Sequence, residues 1–338
     1  MARSLPVLIL AACVCLGMFA PAFSAQRALP GAMVSSVLIG ESRIDIVMDG
    51  EPAGAPQEDL VSWVRAAAES IVAYYGRYPL PHLSIHIRAY EGRGIRGGRT
   101  YGRDGGTIMI RVGKETTSAE FNSDWIMTHE MVHLTFPSVG DKHHWIEEGI
   151  ATYVEPIARV RAGRLDASQM WSDLIRDVPQ GLPEPGDEGL DNTHTWGRTY
   201  WGGALFCLLA DVEIHRRTKN RKGLEDALRG ILSAGGDIRQ DWDLKKALRV
   251  GDRATGVSVL TPLYDKMKDK PGGADLAALW KQLGVEREGN RAVFHDDAPL
   301  AATRKAITCG AKLHCSKQGA SARRLAVFAG RSARIPRD

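Results

Sequence analysis

The segment Thr128-His129-Glu130-Met131-Val132-His133 restricts this chain more than any other part of it. On a helix of 3.6 residues per turn, positions i and i+4 share a face, so the imidazoles of His129 and His133 can close on a single tetrahedral metal ion. Glu130 stands beside them, placed to act as general base on a metal-activated water. A catalytic zinc usually takes three protein ligands and keeps a fourth position open. Three residues downstream could complete the set: His143, His144 and Glu148. A metzincin would need Gly at 136 and His at 139, and Phe136 and Val139 exclude that pattern. Glu148 opens an apolar, helix-forming run after the Pro137-Ser-Val-Gly-Asp141 turn, so a second helix packed across the first could present it to the metal.

His129-Glu-Met-Val-His133 followed by Trp145-Ile-Glu-Glu148-Gly-Ile-Ala-Thr-Tyr-Val-Glu155 resembles the gluzincin (MA clan) pattern, H-E-x-x-H then W-x-x-E-G-x-A-x-Y-x-E. Aminopeptidase N relatives, glycyl aminopeptidases and compact peptidase MA-like domains share it. The resemblance implies one zinc ion on His129, His133 and Glu148, with Glu130 as the base. Glu155, seven residues beyond Glu148 and on nearly the same helical face, is a candidate hydrogen-bond partner for a ligand histidine. The 14 residues between His133 and Glu148 form a shorter link than that of aminopeptidase N and favour the compact domains.

Further along, Tyr200-Trp-Gly-Gly203-Ala204 resembles the gluzincin segment whose tyrosine faces the developing oxyanion. A phenol suits that role, because it donates a hydrogen bond and stays neutral near pH 7. Tyr200 is therefore the expected second catalytic residue, with His194 as the alternative donor. Aminopeptidase N relatives also carry a Gly-Ala-Met-Glu-Asn stretch that holds the substrate's free amine, and no equivalent occurs here.

The N-terminus reads as a secretory signal over residues 1–25: Arg3, an apolar run from Leu5 to Ala20, then small residues around Ser24 and Ala25. The expectation is an exported protein, periplasmic or secreted. Membrane association would require lipidation of Cys13 in the lipobox-like Leu10-Ala-Ala-Cys13, or an uncleaved signal. A formal charge of +4 and a pI near 8.8 are mild, and the concentrated basic stripe of a nucleic-acid binder is absent outside the C-terminal tail. The expected partner is a peptide or protein substrate. Cys309 and Cys315 are spaced to pair into a small loop, and Cys207 lies in an apolar helical pattern as a buried free thiol.

Period-two alternation places two short strands between Val34 and Met48 around Gly40-Glu41, and strands at Leu83–Ala89 and Thr107–Val112; helical spacing covers Asp59–Tyr75. This order is the one a zincin-like subdomain would show. Thr107–Val112 is the expected cleft-edge strand, able to pair with an extended peptide. The Gly/Arg-rich stretch 91–106 reads as a solvated loop, with a mobile lid or anion contact as the alternative. Beyond Tyr153 the pattern turns mainly helical, interrupted by an irregular Pro/Gly-rich loop at Asp177–Thr195 that could form a rim.

The fold class expected is α+β: a zincin-like N-terminal subdomain (26–136), with a mixed sheet and the metal-binding helix, then a mainly α-helical subdomain (137–300) and a C-terminal tail (301–338). The expected function is zinc-dependent hydrolysis of peptide bonds. A non-catalytic zinc-containing binding domain and a zinc hydrolase with a non-peptide substrate are the alternatives.

Overall fold

The computed structural model describes residues 32–51 and 53–310. The expected signal segment 1–25, Cys13, Cys315 and the basic segment 319–338 fall outside the described residues. Among those described, no helix is long and apolar enough to cross a membrane.

Strands β1 (Ala32–Ile39), β2 (Ser42–Met48), β3 (His82–Tyr90), β4 (Ile95–Tyr101) and β5 (Thr107–Gly113) form one mixed sheet in the order β1-β2-β3-β5-β4. β1 and β2 make an antiparallel hairpin, β2-β3 and β3-β5 are parallel, and β4 returns antiparallel to β5. Ile44, Ile46, Leu83, Ile85, Ile87, Ile108, Ile110 and Val112 are buried on one face, as strict alternation dictates. Helices cover that face: α1 (Gln57–Tyr75), the short α2 (Ser118–Ser123), and α3 (Ile126–His133), which carries the two histidines. The chain then continues through α4 (His144–Arg161), α5 (Ala167–Asp177), α6 (Gly203–Thr218), α7 (Leu224–Ser233), α8 (Leu244–Thr255), α9 (Leu260–Met267), α10 (Leu276–Leu283) and α11 (Ala301–Cys309).

Three expectations need correcting. Residues 95–101 of the Gly/Arg-rich stretch are strand β4, not a loop. β5 is consequently flanked on both sides, and the sheet's two edge strands are β1 and β4, so the edge on this side is β4 and not Thr107–Val112. Arg96, Arg99 and Tyr101 point to solvent on this edge, and a register shift between Arg96 and Arg99 breaks the alternation that would have marked a strand. The tail, too, begins later than residue 301. α11 packs into the body, with Ile307 fully buried, Trp171 Nε1 donating to Thr308 Oγ1 and Thr303 Oγ1 donating to Asn220.

α4 and α6 cross at a glycine pair. A methyl on Gly149 would lie 2.4 Å from the Gly203 Cα, and one on Gly203 would lie 2.7 Å from the Gly149 Cα. No side chain fits between these two backbones. The crossing sets how α4, which carries Glu148, meets the segment that carries Tyr200.

Candidate metal centre

α3 starts where it does because Asp124 accepts hydrogen bonds from the backbone N–H groups of Ile126 and Met127, and its carboxylate is itself fixed by Trp63 Nε1 at 2.8 Å. Such a cap contributes about 1 kcal/mol to a helix end. Met127, Met131 and Leu134 anchor the inner side of the helix, and Pro137 prevents its continuation. The link to α4 is short and pinned: Val139 N donates to Glu147 Oε1, and Ser138-Val139 pair with Asp241-Trp242. At the start of α4, Trp145 donates to Asp191 Oδ1 and packs against Phe206 and Tyr264.

These constraints bring His129, His133 and Glu148 together. One ligand atom from each lies within 4.8 Å of the others. Glu148 Oε2 is 3.2 Å from His129 Nε2 and 3.6 Å from His133 Nε2. The donor set suits zinc: two imidazoles and one carboxylate. Burial, reinforced by His129, lowers His133 to about 4, so its imidazole is neutral and its lone pair free near pH 7. Burial pushes Glu148 up, but its bonds to His129 and His144 outweigh this and hold it well below the usual carboxylate range.

Glu130 is buried beside them. Thr100 Oγ1 donates to its Oε2 at 2.6 Å, and burial raises its carboxyl above the ordinary range against the lowering effect of that bond. Gly98 makes room for it, since a methyl at that position would fall 2.4 Å from Glu130 Oε1. Gly98 and Thr100 sit two residues apart and so present the same face of β4 to the base. Neither residue stands out in the sequence; nothing local to 98–100 announces a partnership with a helix 30 residues away.

Tyr200 sits in a π-helical turn, Gly197–Gly202, that leads into α6. Such turns widen the helix by one residue and recur at functional sites. The Tyr200 ring stacks 6.4 Å from that of His129. Burial, the charges of Glu148 and Glu130, and a hydrogen bond to Glu148 push its hydroxyl up to about 12. Exposed Trp196 stacks on Tyr200 at 5.7 Å, and exposed Trp125 meets His129 edge-on at 5.6 Å. Two aromatic side chains open to solvent thus stand against His129 and Tyr200.

The other sequence candidates fall elsewhere. His144 Nε2 lies 3.3 Å from Glu148 Oε1, at the rim. His143 turns away to Asp191 at 2.9 Å and lines a separate cavity of about 320 Å³ with Tyr264, Lys142 and Lys268, to which none of His129, His133, Glu148 or Tyr200 contributes. His194 is exposed on the 177–195 loop. The loop's contribution is Asp191, which accepts from His143, Trp145 and Tyr264. Glu155 is buried and raised to about 7 by burial. Arg159, one turn away, donates to its Oε1 at 2.9 Å, and no hydrogen bond to His129 or His133 is among its contacts. Cys207 is a buried free thiol, as its apolar helical setting implies.

No family model matches the chain, and no curated protein does. Solved structures match its fold. An aminopeptidase N family protein from Idiomarina loihiensis is 12% identical with a TM-score of 0.56, over 74% of this chain and 49% of that one. The M1 zinc metallopeptidase from Deinococcus radiodurans is 15% identical with a TM-score of 0.44, over 72% of this chain and 54% of that one. The chain therefore spans about half the length of these proteins, and what it shares with the first is a mixed α+β fold.

Proposed function

We propose that this protein is an exported zinc metallopeptidase of gluzincin type, close in size and layout to the compact MA-like domains. The observation that carries the reading is the convergence of His129, His133 and Glu148 with Glu130 held beside them by Thr100. A purely structural zinc site would close its fourth position with protein and needs no buried carboxylate next to it. The fold shared with an aminopeptidase N family protein supports the same reading.

Zinc held by His129, His133 and Glu148 would supply Lewis-acid chemistry, polarising a carbonyl and acidifying a water. Glu130 accepts the proton of the attacking water on its carboxylate and returns it to the leaving amine. Its raised affinity for a proton brings it nearer to the working pH. Thr100 keeps one carboxylate oxygen engaged, which fixes where the other points. Tyr200 donates its hydroxyl proton toward the oxygen on which charge develops. Release from Glu148 is the motion this requires of it. The free edge of β4 offers backbone pairing to an extended substrate. β4 carries Arg96 and Arg99 on this edge.

Two variants test these roles. Tyr200→Phe is expected to lower kcat by roughly 10²-fold with KM and zinc content nearly unchanged; unaltered kcat would remove Tyr200 from the reaction. Thr100→Val deletes a bond that lowers Glu130, so the Glu130 carboxyl rises further, and the acid limb of the kcat/KM profile moves to higher pH. A limb that stays in place or moves to lower pH would break the link between Thr100 and the base.

A further inference from the structure

Among the described residues, a second group brings metal-ligating atoms together: Asp211, His215 and Glu225, with one ligand atom of each within 4.8 Å of the others. All three are buried, at 1%, 3% and 2% exposure. Asp211 and His215 are one turn apart on α6, and Glu225 lies in the first turn of α7, so a short connection folds the second helix back onto the first. Lys219 and Asn220 make that turn with φ of 55° and 58°.

The polar contacts of the group are incomplete. Tyr153 donates to Asp211 Oδ2 at 2.9 Å, and Leu224 N donates to Asp211 Oδ1 at 2.7 Å. Arg161 reaches Glu225 Oε1 at 3.2 Å. Glu225 Oε2 and both ring nitrogens of His215 have no hydrogen-bond partner, and His215 Nε2 lies 3.4 Å from Asp211 Oδ1. Buried polar atoms left this way are costly and call for an occupant. The open atoms converge at Gly223: a methyl there would lie 2.3 Å from Glu225 Oε2, 2.5 Å from His215 Nε2 and 3.0 Å from Asp211 Oδ1. Two buried carboxyl groups have a single contacting guanidinium, Arg161 at Glu225, so the second charge would be balanced by a bound cation or by a proton on His215.

We propose that Asp211, His215 and Glu225 form a second, structural metal site for a divalent transition ion, zinc by preference for its mixed nitrogen and oxygen donors. The ion takes the Nε2 lone pair and Glu225 Oε2, adds to Asp211 Oδ1, and ties α6 to α7. Tyr153 and Arg161 both belong to α4, so the site also braces the helix that carries Glu148. This proposal does not depend on the activity assigned to the first centre.

The test is zinc stoichiometry on the full chain, stripped with chelator and titrated with Zn²⁺ under calorimetry, for wild type, for His129→Ala/His133→Ala, and for each with Glu225→Gln added. Two zinc ions per wild-type chain, one in the double-histidine variant and none once Glu225→Gln is added would bear the proposal out. One ion in wild type that persists without His129 and His133 but is lost with Glu225→Gln would uphold the second site and remove the first. One ion in wild type that vanishes with the double-histidine variant would overturn the proposal, leaving a buried water or an imidazolium as the occupant. A second ion unaffected by Glu225→Gln would overturn it too. Two ions in the wild-type titration alone require a centre beyond His129, His133 and Glu148, even if a variant folds poorly. In the double-histidine variant, saturating zinc is expected to raise Tm by roughly 5 °C; no change in Tm would contradict a bracing role.

Discussion

Glu130→Gln is expected to reduce peptide hydrolysis by roughly 10² to 10⁴-fold, the range a positioned general base contributes, while zinc content stays at the wild-type level. The amide keeps the size of the carboxylate and can still accept from Thr100 Oγ1, so the arrangement around it is retained. What it loses is the ability to take a proton. His129, His133 and Glu148 are untouched, so metal binding and activity separate cleanly in this variant. Turnover within a few-fold of wild type would remove Glu130 from the reaction. Loss of zinc together with activity would instead mean that Glu130 supports the ligands.

The second large effect is expected at a position with no polar atom on its side chain. Gly149→Ala inserts a methyl into the closest approach of α4 and α6, where the Gly203 Cα is 2.4 Å from the space it would fill. Both partners are backbone, so no side chain can rotate away. The helices must separate, at a cost of about 2 to 3 kcal/mol by the usual scale of overpacking. Glu148 precedes the wedge by one residue and Tyr200 precedes Gly203 by three. Zinc affinity and kcat should therefore fall along with the melting temperature. Thermal unfolding with a parallel zinc titration reads both, and an unchanged Tm would mean that the two backbones are not in contact at this crossing.

The motif residues are legible because their spacing is local. His129 and His133 are one turn apart, and a helix is the structure that makes this meaningful. The strands with clean alternation, β2, β3 and β5, lie within a residue or so of where their patterns put them, and α1 lies within two. β4 does not show itself, because four of its seven residues are Gly or Arg and its strand character comes from pairing with β5, not from its own pattern. The same physical cause hides Thr100 and Gly98, whose importance lies in what they meet across space. Glu148 can be chosen over His143 and His144 through the resemblance; the chain alone leaves all three open. The structure separates them by giving His143 to Asp191 and leaving His144 half exposed at the rim. Glu155 shows the opposite case: a long-range histidine is its candidate partner, and the partner found is an i,i+4 arginine already visible in the sequence. The Asp211 and His215 pair is equally visible as an i,i+4 spacing, but Glu225 comes from another helix, and only the fold unites the three.

The central claim is that His129, His133 and Glu148 hold a zinc ion that peptide hydrolysis requires. Its most direct test is cleavage of a mixed peptide library by the purified full chain, assayed as isolated, after chelation, and after zinc is restored. The expected result is peptide cleavage that disappears on chelation and returns with zinc. Cleavage that survives complete removal of metal, or none at all from protein with zinc bound at this centre, would contradict the claim.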